Sequence, residues 1–225
     1  MAAFLFLSAI LAPLNWYAVW VGNRRMEWIA KPGVMISLSL WFATYYAWPL
    51  TSLGGIFLVG MLFSLAGDVF LMLDRRHFIK GLLAFLFSHL AYISVFNQPS
   101  ILFKPGTLAL AALLAIIVGT LLRQIIISLR SSGKPGLILP VTLYGAVLML
   151  TCWSTLVCLF RPEWSDTAAA MAAGGGVLFL LSDSLLAWDR FVRPIPRGRF
   201  WTMLSYHGAQ FLLASSVLTY LGQIS

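Results

Sequence analysis

Along this chain apolar residues come in long runs separated by short polar connections. The runs are Ala3 to Val21, Val34 to Leu50, Leu53 to Leu73, Phe78 to Phe96, Thr107 to Leu129, Leu137 to Phe160, Thr167 to Trp188 and Phe200 to Leu221. A helix needs roughly 20 apolar residues to cross the hydrocarbon core of a bilayer. Each run is long enough for one crossing, although Arg123 interrupts the fifth. The pattern predicts an all-α integral membrane protein, an eight-helix transmembrane bundle forming one domain over residues 1–225. Met1 to Val21 reads as a first span rather than a cleavable leader, because Arg24 and Arg25 follow the apolar run instead of preceding it.

The polar connections orient the bundle. Loops one, three, five and seven hold Arg24, Arg25 and Lys31, then Arg75, Arg76 and Lys80, then Arg130 and Lys134, then Arg190, Arg193, Arg197 and Arg199; loops two, four and six hold only Lys104 and Arg161. Cytoplasmic loops collect Lys and Arg, so the odd loops are expected in the cytoplasm and both termini on the opposite side. Trp16, Trp48, Trp164, Trp188 and Trp201 fall at predicted span ends, where indole rings anchor helices at the interface. A compact chain of this kind suggests a bacterial inner membrane.

Composition agrees. Hydrophobic residues make up 60% of the chain, charged residues 10%, and the mean hydropathy is +0.90, far from a soluble domain. The net charge of +8 comes from short basic clusters between apolar runs, which excludes a nucleic-acid-binding reading. Cys152 and Cys158 share one apolar run and meet no metal-ligand spacing. His77, His89 and His207 lie on different elements, and no HExxH or GxSxG motif occurs, so neither a metal nor another cofactor is expected.

Two segments repeat. Gly67-Asp68 is followed after five residues by Asp74-Arg75, and Ser182-Asp183 after five by Asp189-Arg190. Lys31-Pro32-Gly33 and Lys134-Pro135-Gly136 form a second matched pair, with a third copy at Lys104. Together they suggest related four-helix halves, about 1–100 and 101–225, in parallel orientation. Asp68 and Asp183 then lie at one depth, roughly 10 Å inside the cytoplasmic end, whereas Asp74 and Asp189 sit at the interface as solvated partners of neighbouring arginines.

An ionisable group within a span costs at least about 2.5–3.5 kcal/mol on insertion scales, which marks Asp68 and Asp183 as candidate working residues; the bland alternative is a carboxyl that holds the bundle together. Asn15, His89, Tyr92, Tyr144, Tyr206, His207 and Gln210 are placed at similar depth. His89 and Tyr92 share one helix face, as do Tyr206 and Gln210. These residues describe a polar pocket open to the cytoplasm, with Lys31, Arg75 and Arg190 at headgroup level, suited to a phospholipid phosphate or simply marking topology. The chemistry available is acid-base work by carboxyls. A proton-coupled small-molecule or lipid transporter, or a lipid-binding scaffold, fits the same features.

Lys31-Pro32, Gly67-Asp68, Phe78, Gly81, Phe85, His89, Tyr92, Pro140, Tyr144, Phe179, Ser182-Asp183, Tyr206 and Gln210, in this order, resemble the YhhN-like membrane proteins, which include the lysoplasmalogenases (alkenylglycerophospholipid hydrolases). The resemblance runs from the first cytoplasmic loop to the last span. It implies a membrane enzyme that hydrolyses the vinyl ether bond of lysoplasmalogens to a fatty aldehyde and a glycerophosphoethanolamine or glycerophosphocholine. It implies Asp68 and Asp183 as the catalytic pair. With the depth and charge of the polar residues, Lys31, Asn15, His89, Tyr92, Tyr144, Ser182, Tyr206, Gln210, Arg75 and Arg190 are expected around the substrate. The expected partners are the lysophospholipid and membrane lipids, with no nucleic acid and no protein partner.

Overall fold

The computed structural model describes residues 2–46 and 52–224, apart from the side chains of Tyr46, Arg75 and Ile224. The described residues form eight α-helices: α1 (Ala2–Val21), α2 (Arg24–Tyr46), α3 (Leu53–Met72), α4 (Phe78–Phe96), α5 (Pro105–Ser131), α6 (Ile138–Val157), α7 (Asp166–Phe191) and α8 (Gly198–Ile224), with 3-10 turns at Arg75–His77, Pro135–Leu137 and Cys158–Phe160. Six helical segments are long and apolar enough to cross a bilayer: α1, α3, α4, α5, α7, and α6 with its flanking turns. The chain is a multi-pass membrane protein.

The helices start where local chemistry supplies their first unpaired amides. Ser52 caps α3 by accepting from the Gly55 amide at 3.2 Å, and Ser165 caps α7 by accepting from the Ala168 amide at 3.3 Å. Pro105 opens α5 at the position where a missing N–H costs nothing. Gly22, at φ 74°, ends α1, and Asn23 accepts from the Met26 amide at 3.2 Å as α2 begins. This places the start of α2 ten residues before the apolar run that predicts it at Val34. Lys31-Pro32-Gly33 therefore lies inside a helix, whereas Lys134-Pro135-Gly136 leads into and forms a 3-10 turn. The predicted end of that span at Leu50, and Trp48, lie outside the described residues.

α2 and α8 are the helices whose polar content keeps them below a membrane-spanning hydropathy. Both are drawn into the bundle. α8 buries Tyr206, His207, Gln210, Leu213 and Val217, and α2 buries Lys31, Met35, Leu38 and Phe42. The main core joins these two helices to α3, α4, α6 and α7 through Phe57, Met61, Phe85, Tyr92, Leu148 and Phe179. α5 lies against the outside, burying Thr107, Leu114, Val118, Ile125 and Leu129 and leaving Ile116 and Ile127 exposed.

The fourth and sixth connections pack against each other and against α8. Trp164 stacks on Tyr220 at 4.2 Å, and buried Arg161 donates to the carbonyls of Gln98 at 3.2 Å and Ser100 at 2.6 Å. Trp164 is thus a core residue and not the interfacial anchor its position predicts; Trp201 is exposed, as an anchor is. Both cysteines are free and buried, in keeping with packing residues.

Candidate functional site

Asp68 stands four residues before the end of α3, about 6 Å along the axis, and Asp183 eight residues before the end of α7, about 12 Å. α3 stops at Met72, while α7 continues through Arg190. The two carboxylates nonetheless reach one cavity of about 380 Å³ that opens among Arg24, Glu27, Arg190 and Arg199, at the end carrying the first, third and seventh connections.

Their surroundings differ. The Lys31 ammonium on α2 lies 3.0 Å from Asp68 Oδ1, and the Tyr206 hydroxyl on α8 donates to Oδ2 at 2.8 Å. Side-chain exposure is 6% for Lys31 and 1% for Asp68, so this ion pair is buried at the inner end of the cavity. Asp183 accepts a hydrogen bond from Tyr144 of α6, with His89 Nε2 of α4 at 3.6 Å from the same oxygen. His89 Nε2 is also 3.2 Å from the Tyr144 hydroxyl. The Asp183 side chain keeps 10% of its surface exposed.

Behind Asp68 a buried polar ladder joins three helices, α3, α4 and α8. Gln210 donates from Nε2 to Ser64 Oγ at 3.0 Å and to Tyr206 at 3.5 Å, its Oε1 accepts from Tyr92 at 2.9 Å, and Ser64 meets Ser88 at 2.7 Å. Such a network is stable in an apolar bundle only when its members satisfy one another. Phe179 stands between the two carboxylate environments, with its ring centroid 4.7 Å from that of His89 and 5.6 Å from that of Tyr206.

A second cavity meets the first. It is an apolar crevice between α4, α5, α6 and α7, walled by Leu82, Val118, Leu122, Val141, Leu148 and Leu180. Asp183 lines both spaces, as do Leu71, Phe85, Leu186 and Arg190; Asp68 lines only the polar one.

Of the residues placed around a substrate by sequence, His89, Tyr144 and Tyr206 touch the carboxylates, while Tyr92 and Gln210 support them through the ladder. Ser182 lines the polar cavity and donates to the Thr202 carbonyl at 3.1 Å. Lys31 is on Asp68 and not at the rim. Arg190 lines both cavities, its guanidinium 4.1 Å from the Phe78 ring centroid. The Arg75 side chain lies outside the described residues. Asn15 is buried away from both cavities, and its neighbour Trp16 makes the link to α8, donating to His207 Nδ1 at 3.1 Å. Asp74 pairs with Arg76 at 3.5 Å, both largely exposed. Asp189 accepts from the Ile195 amide at 2.7 Å and orders the connection before α8. Sequence reasoning missed Ser64, and at the cavity mouth it missed Arg24, Glu27 and Arg199. The signal for two of these lay in α2, where Arg24, Glu27 and Lys31 fall at i, i+3 and i+7 on one helix face.

Among the described residues no group of His, Cys, Asp or Glu is arranged to hold a metal ion. Residues 26–217, most of the chain, match the model of the YhhN family. The chain belongs to the YhhN family. This YhhN chain is 29% identical over 212 residues to lysoplasmalogenase TMEM86B of Homo sapiens, covering 93% of the chain and 84% of that protein. It is 31% identical over 163 residues to lysoplasmalogenase TMEM86A of Bos taurus, covering 71% of the chain and 64% of that protein. No solved structure matches it. The family and these relatives agree with the resemblance read from the motifs.

Proposed function

We propose that this protein is a membrane hydrolase that cleaves the vinyl ether bond of lysoplasmalogens, releasing a fatty aldehyde and a glycerophospho-alcohol. The relatives named lysoplasmalogenase support the reaction class. The observation that carries the reading is the place of Asp183, where an apolar crevice meets a polar cavity containing a second carboxylate. A lysoplasmalogen has its vinyl ether at the boundary between hydrocarbon chain and headgroup. With the chain in the crevice and the glycerophosphate in the polar cavity, that bond lies beside Asp183.

Vinyl ether hydrolysis begins with proton transfer to the carbon β to oxygen. This forms an oxocarbenium ion, which water captures as a hemiacetal; collapse of the hemiacetal releases the aldehyde and the glycerol hydroxyl. The chemistry needs a proton donor and a negative group facing the cation, the division of labour of two carboxylates in glycoside hydrolysis. Asp68, held by Lys31 and Tyr206, is suited to remain ionised and stabilise the cation. Asp183, which faces the apolar crevice, is suited to carry the proton, with Tyr144 and His89 fixing its orientation.

The bundle is read as eight crossings with both termini outside and the polar cavity on the cytoplasmic side, because the cavity mouth is built from the basic odd connections. Asp68 takes its partners from α2 and α8, and Asp183 from α6 and α4. Each therefore uses the preceding helix and the last helix of the opposite half, which supports two parallel halves.

Aldehyde release from a lysoplasmalogen by the purified protein in detergent, with no proton gradient, tests the reading. The wild type is expected to turn over, and folded Asp68→Asn and Asp183→Asn to lose activity by about 10²–10⁴-fold or more. Full activity in either variant would overturn the mechanism. No turnover by folded wild type, with gradient-driven uptake into vesicles, would replace the hydrolase with a carrier.

A further inference from the structure

The two cavities that meet at Asp183 differ in size as well as in polarity. The polar one, with the Glu27–Arg199 ion pair at its mouth, has a volume of about 380 Å³, whereas the apolar crevice holds only about 70 Å³. Pockets that enclose a drug-sized ligand hold roughly 300–1,000 Å³, so a long hydrocarbon chain is not enclosed in the crevice. The crevice also stops soon after Asp183 on the side away from the polar mouth. On α7 its lining ends at Leu180, three residues on and about 4.5 Å along the axis; on α6 it ends at Leu148, four residues past Tyr144 and about 6 Å along. Packing explains the stop. α6 and α7 meet at Thr155 and Gly176 with no room for a methyl group between them. Leu114 of α5 packs there with Cys152, Trp153 and Val157 of α6, and Leu180 lies against this cluster. α6 and α7 thus form a wedge, open where Tyr144 spans it to reach Asp183 and closed beyond Leu148 and Leu180.

We propose that the crevice is a short selectivity slot, bounded by Leu148, Leu180 and Val118, that holds only the chain carbons adjoining the ether, while the rest of the chain stays in the bilayer. The site is then blind to chain length and selective against substituents next to the ether. This rests on the lysoplasmalogen reading above. Blindness to length follows from the surroundings. Lipid tails are as apolar as a leucine side chain, so carbons that lie in lipid before and after binding add nothing to affinity. Selectivity near the ether follows from close packing. Gly145, next to Tyr144, is so tightly seated that a methyl group there would come within 2.9 Å of Leu122 Cδ2. A branch on a carbon inside such a slot has to displace packed side chains, and a single methylene in a fitted apolar pocket is worth roughly 10–200-fold. The same branch at the far end of the chain meets only lipid.

The test is a binding measurement with saturated ether-linked lysophosphatidylcholines, which carry no vinyl ether and are not consumed. Four are compared: a decyl chain, an octadecyl chain, and octadecyl chains with a methyl branch either on the third carbon from the ether oxygen or next to the chain end. Isothermal titration of the purified full-length protein in mixed micelles, with affinity expressed per mole fraction of ligand in the micelle, removes the effect of chain length on partitioning. Wild type is expected to bind the decyl, octadecyl and end-branched ligands within about twofold of one another, and the near-branched ligand roughly tenfold or more weakly. Leu180→Ala and Val118→Ala, which enlarge the slot from α7 and α5, are expected to bring the near-branched ligand back toward the straight chain. Affinity that climbs with chain length would overturn the proposal, as would equal effects of the two branches or an unchanged near-branch penalty in both variants. Each comparison is a ratio within one sample, so a lower folded fraction in a variant does not move it. The expected pattern without aldehyde release from a lysoplasmalogen would sink the hydrolase and leave the slot standing. Aldehyde release with affinity that grows along the chain would do the reverse.

Discussion

Lys31 and Asp68 form the most completely buried ion pair among the described residues. Taking one member away leaves a charge in an apolar bundle, which costs about 3–5 kcal/mol, whereas removing both charges is far cheaper. Lys31→Met is therefore expected to lower thermal stability in detergent sharply. Lys31→Met combined with Asp68→Asn should recover much of that loss while staying inactive. Thermal unfolding of the two variants beside Asp68→Asn, followed by aldehyde assay, checks both halves of the statement. A double variant no more stable than Lys31→Met would mean that the lysine acts through its packing and not through its charge.

At the scale of elements, the helices come together through small residues, as expected where lipid is as apolar as a leucine and close packing must do the work. α6 and α7 show it most clearly. A methyl group added at Gly176 of α7 would overlap Thr155 Oγ1 of α6, while one added at Gly119 of α5 meets nothing within 4 Å. Gly176→Ala should destabilise the protein by about 1–3 kcal/mol through overpacking. Gly119→Ala should be neutral or stabilising by up to about 1 kcal/mol, because alanine is the better helix former. Thermal unfolding of the pair distinguishes them, and equal effects would mean that α6 and α7 are not in direct contact. The loose seat of α5 has a functional side as well, since its Val118 and Leu122 wall the crevice assigned to the hydrocarbon chain.

For the molecule as a whole, the polar cavity and the basic connections lie at one end, and Arg161, Trp164 and Tyr220 close the other. In the proposed reaction a substrate drawn from the bilayer would meet Asp183 from the apolar side, and the released headgroup would leave toward the basic end. The proposed topology sends both termini to the side opposite this mouth. A reporter enzyme active only outside the cytoplasm is expected to work when fused after Ser225 and to be silent when fused after Arg76 or Arg193. An active fusion after Arg76 would invert the orientation and place the cavity on the outer face.

What the amino-acid sequence determined by itself was the helical, membrane-embedded class, most helix boundaries and the two carboxylates. Each rests on a local property: the length of an apolar run against bilayer thickness, the placement of Lys and Arg, and the cost of a charge within a span. The start of α2 was missed because charged residues begin that helix before its apolar run does. Only the tertiary structure decided that Lys31 meets Asp68, that Glu27 meets Arg199, that Trp164 is core, and that Asp183 alone of the two carboxylates stands where the two cavities join. Those outcomes depend on how each helix is rotated about its axis. In a soluble protein an apolar stripe announces that rotation. Here most helices are apolar toward lipid and toward their neighbours alike, so the polar side chains find their partners only once the helices have packed.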